Sequence, residues 1–150
     1  MNLNEKIILK IMKLDKSLPD PMYAKNGDAG IDLYSRSELT LEPYSRSIVP
    51  TGITVSIPYG YAGFIQPRSG LAAKHGIGIV NSPGLIDSGY RGEICVILIN
   101  MDKERDYHIN KGDRICQLVI KKIDYADIRI VDELDNTERG GGGFGSTGKQ

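Results

Sequence analysis

The sequence predicts an all-β sandwich or barrel-like domain of about ten short strands with one small helix. Three observations lead there. Eighteen glycines and seven prolines are spread through 150 residues at short intervals, as turns between short strands require. Short runs such as Ile53-Thr-Val-Ser-Ile57 alternate apolar with polar residues, the period of a strand with one buried face. Only one stretch reads as a helix, and no internal repeat is visible. A chain of this length suits a single domain large enough for a real hydrophobic core.

Taken in order, Ile7 to Met12 alternates as a first strand, and residues 15–30 form a loop rich in Pro, Asp, Asn and Gly. Ile31-Asp-Leu-Tyr34 is a short strand in which Asp32 lies between apolar neighbours, so it either caps a turn or serves a site. Ser37 to Leu41 alternates weakly, Ile53 to Ile57 cleanly, and Pro58-Tyr-Gly60 turns the chain into a strand from Tyr61 to Gln66. Ser69 to Gly76 is the helix, with Ser69 as its N-cap and Gly76 as its terminator. Helix N-termini collect unpaired N–H groups, and Arg68 adds a planar donor suited to phosphate. That pair is either an anion site or an ordinary capped helix beside a surface arginine.

Residues 81–94, Asn-Ser-Pro-Gly-Leu-Ile-Asp-Ser-Gly-Tyr-Arg-Gly-Glu-Ile, read as a hairpin, with Asp87, Tyr90 and Arg91 crowded at its bend. Ile94 to Ile99 leaves it as an apolar run. A polar connection from Asp102 to Lys111 contains the short strand Tyr107-His-Ile109, and Gly112-Asp-Arg114 turns into the apolar strand Ile115 to Ile120. Gln117 interrupts that strand; its amide is either satisfied by backbone or aimed into a cavity. Ile128 to Val131 is the last strand candidate.

Nineteen basic and nineteen acidic residues cancel, so the balance gives no sign of nucleic-acid binding. Cys95 and Cys116 both lie in apolar runs and read as reduced, buried core thiols. With His75 and His108 they make no zinc-ligand spacing. The charged N-terminus is neither a signal peptide nor a membrane span, and a cytoplasmic protein is expected.

The tail from Arg139 to Gly148 carries six glycines in ten positions, together with an arginine, Phe144 and a Ser-Thr pair. Glycine loses the most backbone freedom on ordering, so such a segment needs a ligand to order it. Its composition suits a lid closing on an anionic, flat-ringed molecule. Gly143 to Lys149 nearly matches a phosphate-binding loop, but that motif must open a helix and end in Ser or Thr, whereas Gln150 follows here.

Five stretches now stand out: Ala29 to Ser35, Pro67 to Ile77, Asn81 to Ile94, Gly112 to Gln117 and Arg139 to Gly148. In order and content they closely resemble the five motifs of the homotrimeric dUTP pyrophosphatases (dUTPases), over residues 24 to 148. The Asn-Ser-Pro-Gly opening of the third motif looks bacterial. The resemblance implies a jelly-roll-like β domain over residues 1–135, a C-terminal lid over 136–150 and a homotrimer. Each site would take the first, second and fourth motifs from one chain, the hairpin from a second and the tail from a third. The implied activity is hydrolysis of dUTP to dUMP and pyrophosphate with Mg²⁺, keeping uracil out of DNA and supplying dUMP for thymidylate synthesis.

Residue by residue, the resemblance makes Asp87 the general base for the water that attacks the α-phosphorus. Tyr90 would pack on the deoxyribose and exclude a 2′-hydroxyl, while Asn81 and the backbone of Leu85, Ile86 and Cys95 bond the uracil edge. Arg68, Ser69 and Gly70 would grip the phosphates, and Gln117 the α-phosphate or the water. Phe144 would stack on uracil as Arg139, Gly145, Ser146 and Thr147 close over the phosphates, and Asp32 would reach the hydrated metal through water. Cys116 stands where many family members carry alanine; Glu93 and Arg91 receive only structural pairing. Two alternatives remain: a dCTP deaminase of the same fold, for which Glu93 is the available proton carrier, and a regulatory binding module.

Overall fold

Why the strands form is visible in their burial. In β1 (Lys10–Lys13) the side chain of Ile11 turns inward while Lys10 and Met12 face out, and Leu9 and Ile11 pack on the core. β2 (Ile31–Tyr34), β3 (Leu39–Leu41), β4 (Arg46–Pro50), β5 (Ile53–Ser56) and β6 (Tyr61–Gln66) follow. Helix α1 (Ser69–His75) then leads to β7 (Ile77–Ile79), β8 (Gly84–Ile86), β9 (Cys95–Asn100), β10 (Tyr107–Ile109) and β11 (Arg114–Lys122). These elements are those of residues 6–141, the part of the chain described by this computed structural model. An all-β architecture with one short helix is therefore what the chain adopts.

The strands form four antiparallel sheets: β1–β5, β3–β10, β4–β9–β7 and β2–β11–β6–β8. Their inner faces share one core, with Leu33, Val49, Ile94, Leu98, Ile115 and Leu118 almost wholly shielded from solvent. The nine-residue β11 lies inside its sheet and pairs with β2 and β6. A register shift between Arg114 and Cys116 bulges the strand, so that Ile115 and Cys116 both enter the core in succession. Buried polar side chains are satisfied: Asn100 donates to the carbonyls of Leu41 and Arg105 at 3.0 and 2.8 Å, and Thr51 Oγ1 donates to Ile94 O at 2.7 Å.

Several expectations need correction. The 81–94 stretch is no paired hairpin: β8 joins β6, whereas β9 pairs with β4 and β7, so the bend carries the chain from one sheet to another. Arg68, not Ser69, is the N-cap of α1, with extended backbone and no capping side chain; Ser69 is the first helical residue. Gly76 ends the helix as expected, in the left-handed conformation at φ 65°, with its N–H bonded to Ala72 and Leu71. Ile128 to Val131 forms no strand; Ile130 is 99% exposed. β4 and β7 escape the sequence pattern, because β4 begins with Arg-Ser and ends in proline, and β7 is only Ile-Gly-Ile. Among the described residues no helix is long and apolar enough to cross a membrane.

Candidate functional site

The helix start and the four-stranded sheet build a cationic corner. Gln117 on β11 pairs with Asp32 on β2 and with Gln66 on β6, two residues before Arg68. This register gathers the polar residues of three strands around one carboxylate. Asp32, only 6% exposed, lies 3.5 Å from Arg68 Nε and 3.1 Å from Arg114 Nη1, and accepts from Gln117 Nε2 at 3.3 Å. Two guanidiniums offset the cost of burying its charge. Arg68 also donates to Arg114 O at 3.0 Å, which holds its guanidinium beside β11. Asp32 therefore caps no turn, and Gln117 is satisfied by a side chain rather than by backbone. Ser69 and Gly70 lie exposed above this corner, and a Cβ at Gly70 would meet open space.

A second constellation surrounds the bend between β8 and β9. A cleft of about 260 Å³ is lined by Leu85, Ile86, Asp87, Tyr90, Glu93, Ile94 and Cys95. A smaller one of about 100 Å³ adjoins it, bounded by Asn81, Ile65, Ile79 and the shared residues Leu85, Ile86 and Cys95. The turn closes with Tyr90 N–H donating to Asp87 O at 3.1 Å, leaving both side chains at the rim. The Tyr90 phenol donates to Glu93 O at 3.0 Å, and its ring lies so close over Gly92 that a Cβ there would collide with it. Arg91 donates to the carbonyls of Ser88 and Tyr90 at 2.7 and 2.8 Å, which is the structural pairing expected of it.

Glu93 is likewise paired within the fold: its carboxylate accepts from Gly52 N–H at 2.8 Å and from Arg36 at 3.2 Å. The sequence pattern marks neither Arg36 nor Arg114, because both sites become visible only when distant strands meet. Cys95 contradicts the expectation of a buried thiol, since the residue is exposed in the cleft wall. It begins β9 on the outward register, whereas Val96 and Leu98 take the inward one. Burial and then the Glu93 charge push the Cys95 thiol up, and burial pushes Cys116 up further. Both are free thiols.

Asp87 and Tyr90 line the cleft, while Arg68, Ser69, Gly70 and Gln117 belong to the other corner. Arg139 lies at the end of the described chain; Phe144, Gly145, Ser146 and Thr147 fall outside the described residues. No cluster of three or more His, Cys, Asp or Glu side chains that would hold a metal exists among the described residues. With guanidiniums against both oxygens, Asp32 does not fit direct coordination of a dication.

Comparison with known proteins supplies the family. The dUTPase family profile matches residues 16–148. A deoxyuridine 5′-triphosphate nucleotidohydrolase of Corynebacterium glutamicum is 53% identical over 141 residues, covering 94% of this chain and 95% of the relative. One from Thermobifida fusca is 52% identical over 140 residues, 93% of this chain and 78% of its own length. Among solved structures, a Staphylococcus bacteriophage 80alpha dUTPase with dUPNHPP superposes with a TM-score of 0.86 at 33% identity, covering 96% of this chain and 100% of that one. A dUTPase variant from phage phi11 of S. aureus, described as revealing the coordination of a structural Mg(II) ion, gives 0.79 at 28% identity, covering 87% and 100%. With its fold, its cleft and these relatives in agreement, the chain belongs to the dUTPase family.

Proposed function

We propose that the chain hydrolyses dUTP to dUMP and pyrophosphate, with Asp87 as the general base. One observation carries this reading. In a chain 53% identical to a deoxyuridine triphosphate nucleotidohydrolase, a single cleft brings the Asp87 carboxylate and the Tyr90 phenol beside Leu85, Ile86 and Cys95, while the cleft's other carboxylate, Glu93, is engaged by Gly52 and Arg36. A water on Asp87 loses its proton to the carboxylate while its oxygen bonds to the α-phosphorus. The bond from that phosphorus to the bridging oxygen breaks, and pyrophosphate leaves with the electron pair. Positioned general-base assistance contributes about 10²–10⁴-fold in rate.

Asn81 and the backbone of Leu85, Ile86 and Cys95 bond the uracil edge, so a base with the wrong donors leaves buried polar groups unpaired. Tyr90 fills the space a 2′-hydroxyl would need. Arg68, Ser69, Gly70 and Gln117 hold the phosphates, with Asp32 orienting Arg68 and Gln117. Gly70 supports this grip, since its open surroundings leave the backbone accessible to a ligand. Mg²⁺ bound with the triphosphate would supply charge stabilisation at the phosphate oxygens.

The functional unit is a homotrimer in which cleft and phosphate grip come from different chains, with residues 136–150 as the lid. Two features support this. Cleft and grip line separate places in one chain, and the segment after β11 exposes Ile128, Ile130 and Leu134 as apolar groups lacking a covering surface of their own. The two free thiols suit a cytoplasmic setting. Deamination of dCTP is disfavoured, because Gly52 and Arg36 already engage Glu93. Hydrolysis in heavy-oxygen water tests the reaction: the label is expected in dUMP. Label in pyrophosphate would remove the α-phosphorus mechanism, and deaminated product from dCTP would replace the activity.

A further inference from the structure

We infer that Glu93 and Arg36 are positioning residues for substrate selection, forming a latch that holds the Tyr90 wall at the cleft. The inference rests on reading Tyr90 as the surface that rejects the ribose hydroxyl. Glu93 works at both ends. Its backbone carbonyl accepts the Tyr90 phenol at 3.0 Å, and its carboxylate accepts Gly52 N–H at 2.8 Å and both Arg36 contacts, at 3.2 and 3.4 Å. The ring is thereby tied to a residue whose own side chain is anchored elsewhere in the fold.

The anchor is rigid. Arg36 N–H donates to Pro50 O at 2.9 Å, and Leu14 N–H donates to Gly52 O at 2.8 Å. Thr51 donates through N–H and Oγ1 to Ile94 O at 3.0 and 2.7 Å, and Ile94 N–H donates to Ile53 O at 3.0 Å. Residues 93 and 94 are thus bolted to the β4–β5 connection immediately after the exposed turn. The Glu93 side chain is only 22% exposed and that of Arg36 40%, so the pair is partly shielded from solvent. Tyr90 itself is 44% exposed and has little packing of its own to hold it. Its hydroxyl bond and the bare backbone of Gly92 set the ring position, and both depend on where residue 93 sits.

Rejection of UTP requires the ring to occupy the space of one hydroxyl, and a displacement of about 1 Å is enough to cost on the order of 10²-fold at a well-oriented site. The test is the ratio of kcat/KM for dUTP to that for UTP in Glu93→Gln, Arg36→Ala, Tyr90→Ala and the combined variants. Glu93→Gln keeps the shape and an oxygen for Gly52 N–H, so it loosens only the Arg36 link. Both latch variants are expected to lower the ratio by about tenfold, with no further loss when either is combined with Tyr90→Ala. A merely structural role would lower activity on both substrates equally and leave the ratio unchanged; that result overturns the latch. If Tyr90→Ala lowers the ratio and the latch variants do not, the latch alone fails. An unchanged ratio in Tyr90→Ala instead removes the sugar-wall reading beneath it.

Discussion

Asp87 and Tyr90 sit three positions apart in one turn, yet only the folded chain turns them to the same cleft. The residue types are legible: a carboxylate and a phenol amid turn residues, with an asparagine upstream. What escaped the sequence was their support. Arg36 and Gly52 reach Glu93 across long stretches of chain, and Arg114 reaches Asp32 between neighbouring strands. Asp32 read ambiguously for the same reason, since its neighbours in sequence are apolar while its neighbours in space are two arginines and a glutamine. Asp87→Asn keeps the shape and removes the base. It is expected to lower kcat by about 10²–10⁴-fold while still binding a non-hydrolysable dUTP analogue, as calorimetry and steady-state rates would show. Near-normal turnover would take the base role away from Asp87.

At the scale of elements, alternation locates β1, which buries one face, and β5, where Thr54 on the polar face is buried as well, and it fails where pairing rather than pattern makes the strand. β4 and β7 exist because β9 runs between them; Ile128 to Val131 has the right composition but no partner strand among the described residues. The helix is legible from its glycine terminator, though it starts one residue earlier than a Ser69 cap implies. Gly70 in its first turn makes a sharp test. An alanine there gains about 1 kcal/mol of helix propensity and meets no neighbour, so Gly70→Ala is expected to melt no lower than the parent. Its KM for dUTP is expected to rise, because the added methyl stands where the phosphates approach. A lowered melting temperature with unchanged KM would make Gly70 structural.

The loop after β9 gives a pH test at the same scale. Asp102 accepts the N–H groups of Glu104 and Arg105 and the Arg105 side chain, and its carboxyl is held down from 3.8 to about 2. A carboxylate lowered in the folded state binds fewer protons there than in the unfolded chain. Its stabilisation is therefore complete above about pH 4 and lost as pH falls towards 2. The difference in urea midpoint between the parent and Asp102→Ala is expected to be steady near neutrality and to shrink across that window. A difference independent of pH would place the effect in packing.

Among the described residues one core is shared by four sheets, and none of its members lies beyond β11. Deleting residues 139–150 is thus expected to leave the circular dichroism and melting curve of the parent with activity severely reduced. Full activity would contradict the lid, and loss of folding would assign the tail to the core. The fold class is readable because turns, short strands and a single helix leave few architectures; assembly is implied only by the family resemblance, because a surface that pairs with another copy looks in the sequence like any other exposed apolar group. Light scattering is expected to find three chains per particle.

One measurement bears most directly on the central claim: pyrophosphate release from dUTP beside UTP, dCTP and dTTP, with Mg²⁺ and after its removal by chelation. Rapid release from dUTP alone, weakened by chelation, is the predicted result. Comparable release from UTP or dTTP, or none from dUTP, would contradict a cleft built around Asp87 and Tyr90 for deoxyuridine triphosphate.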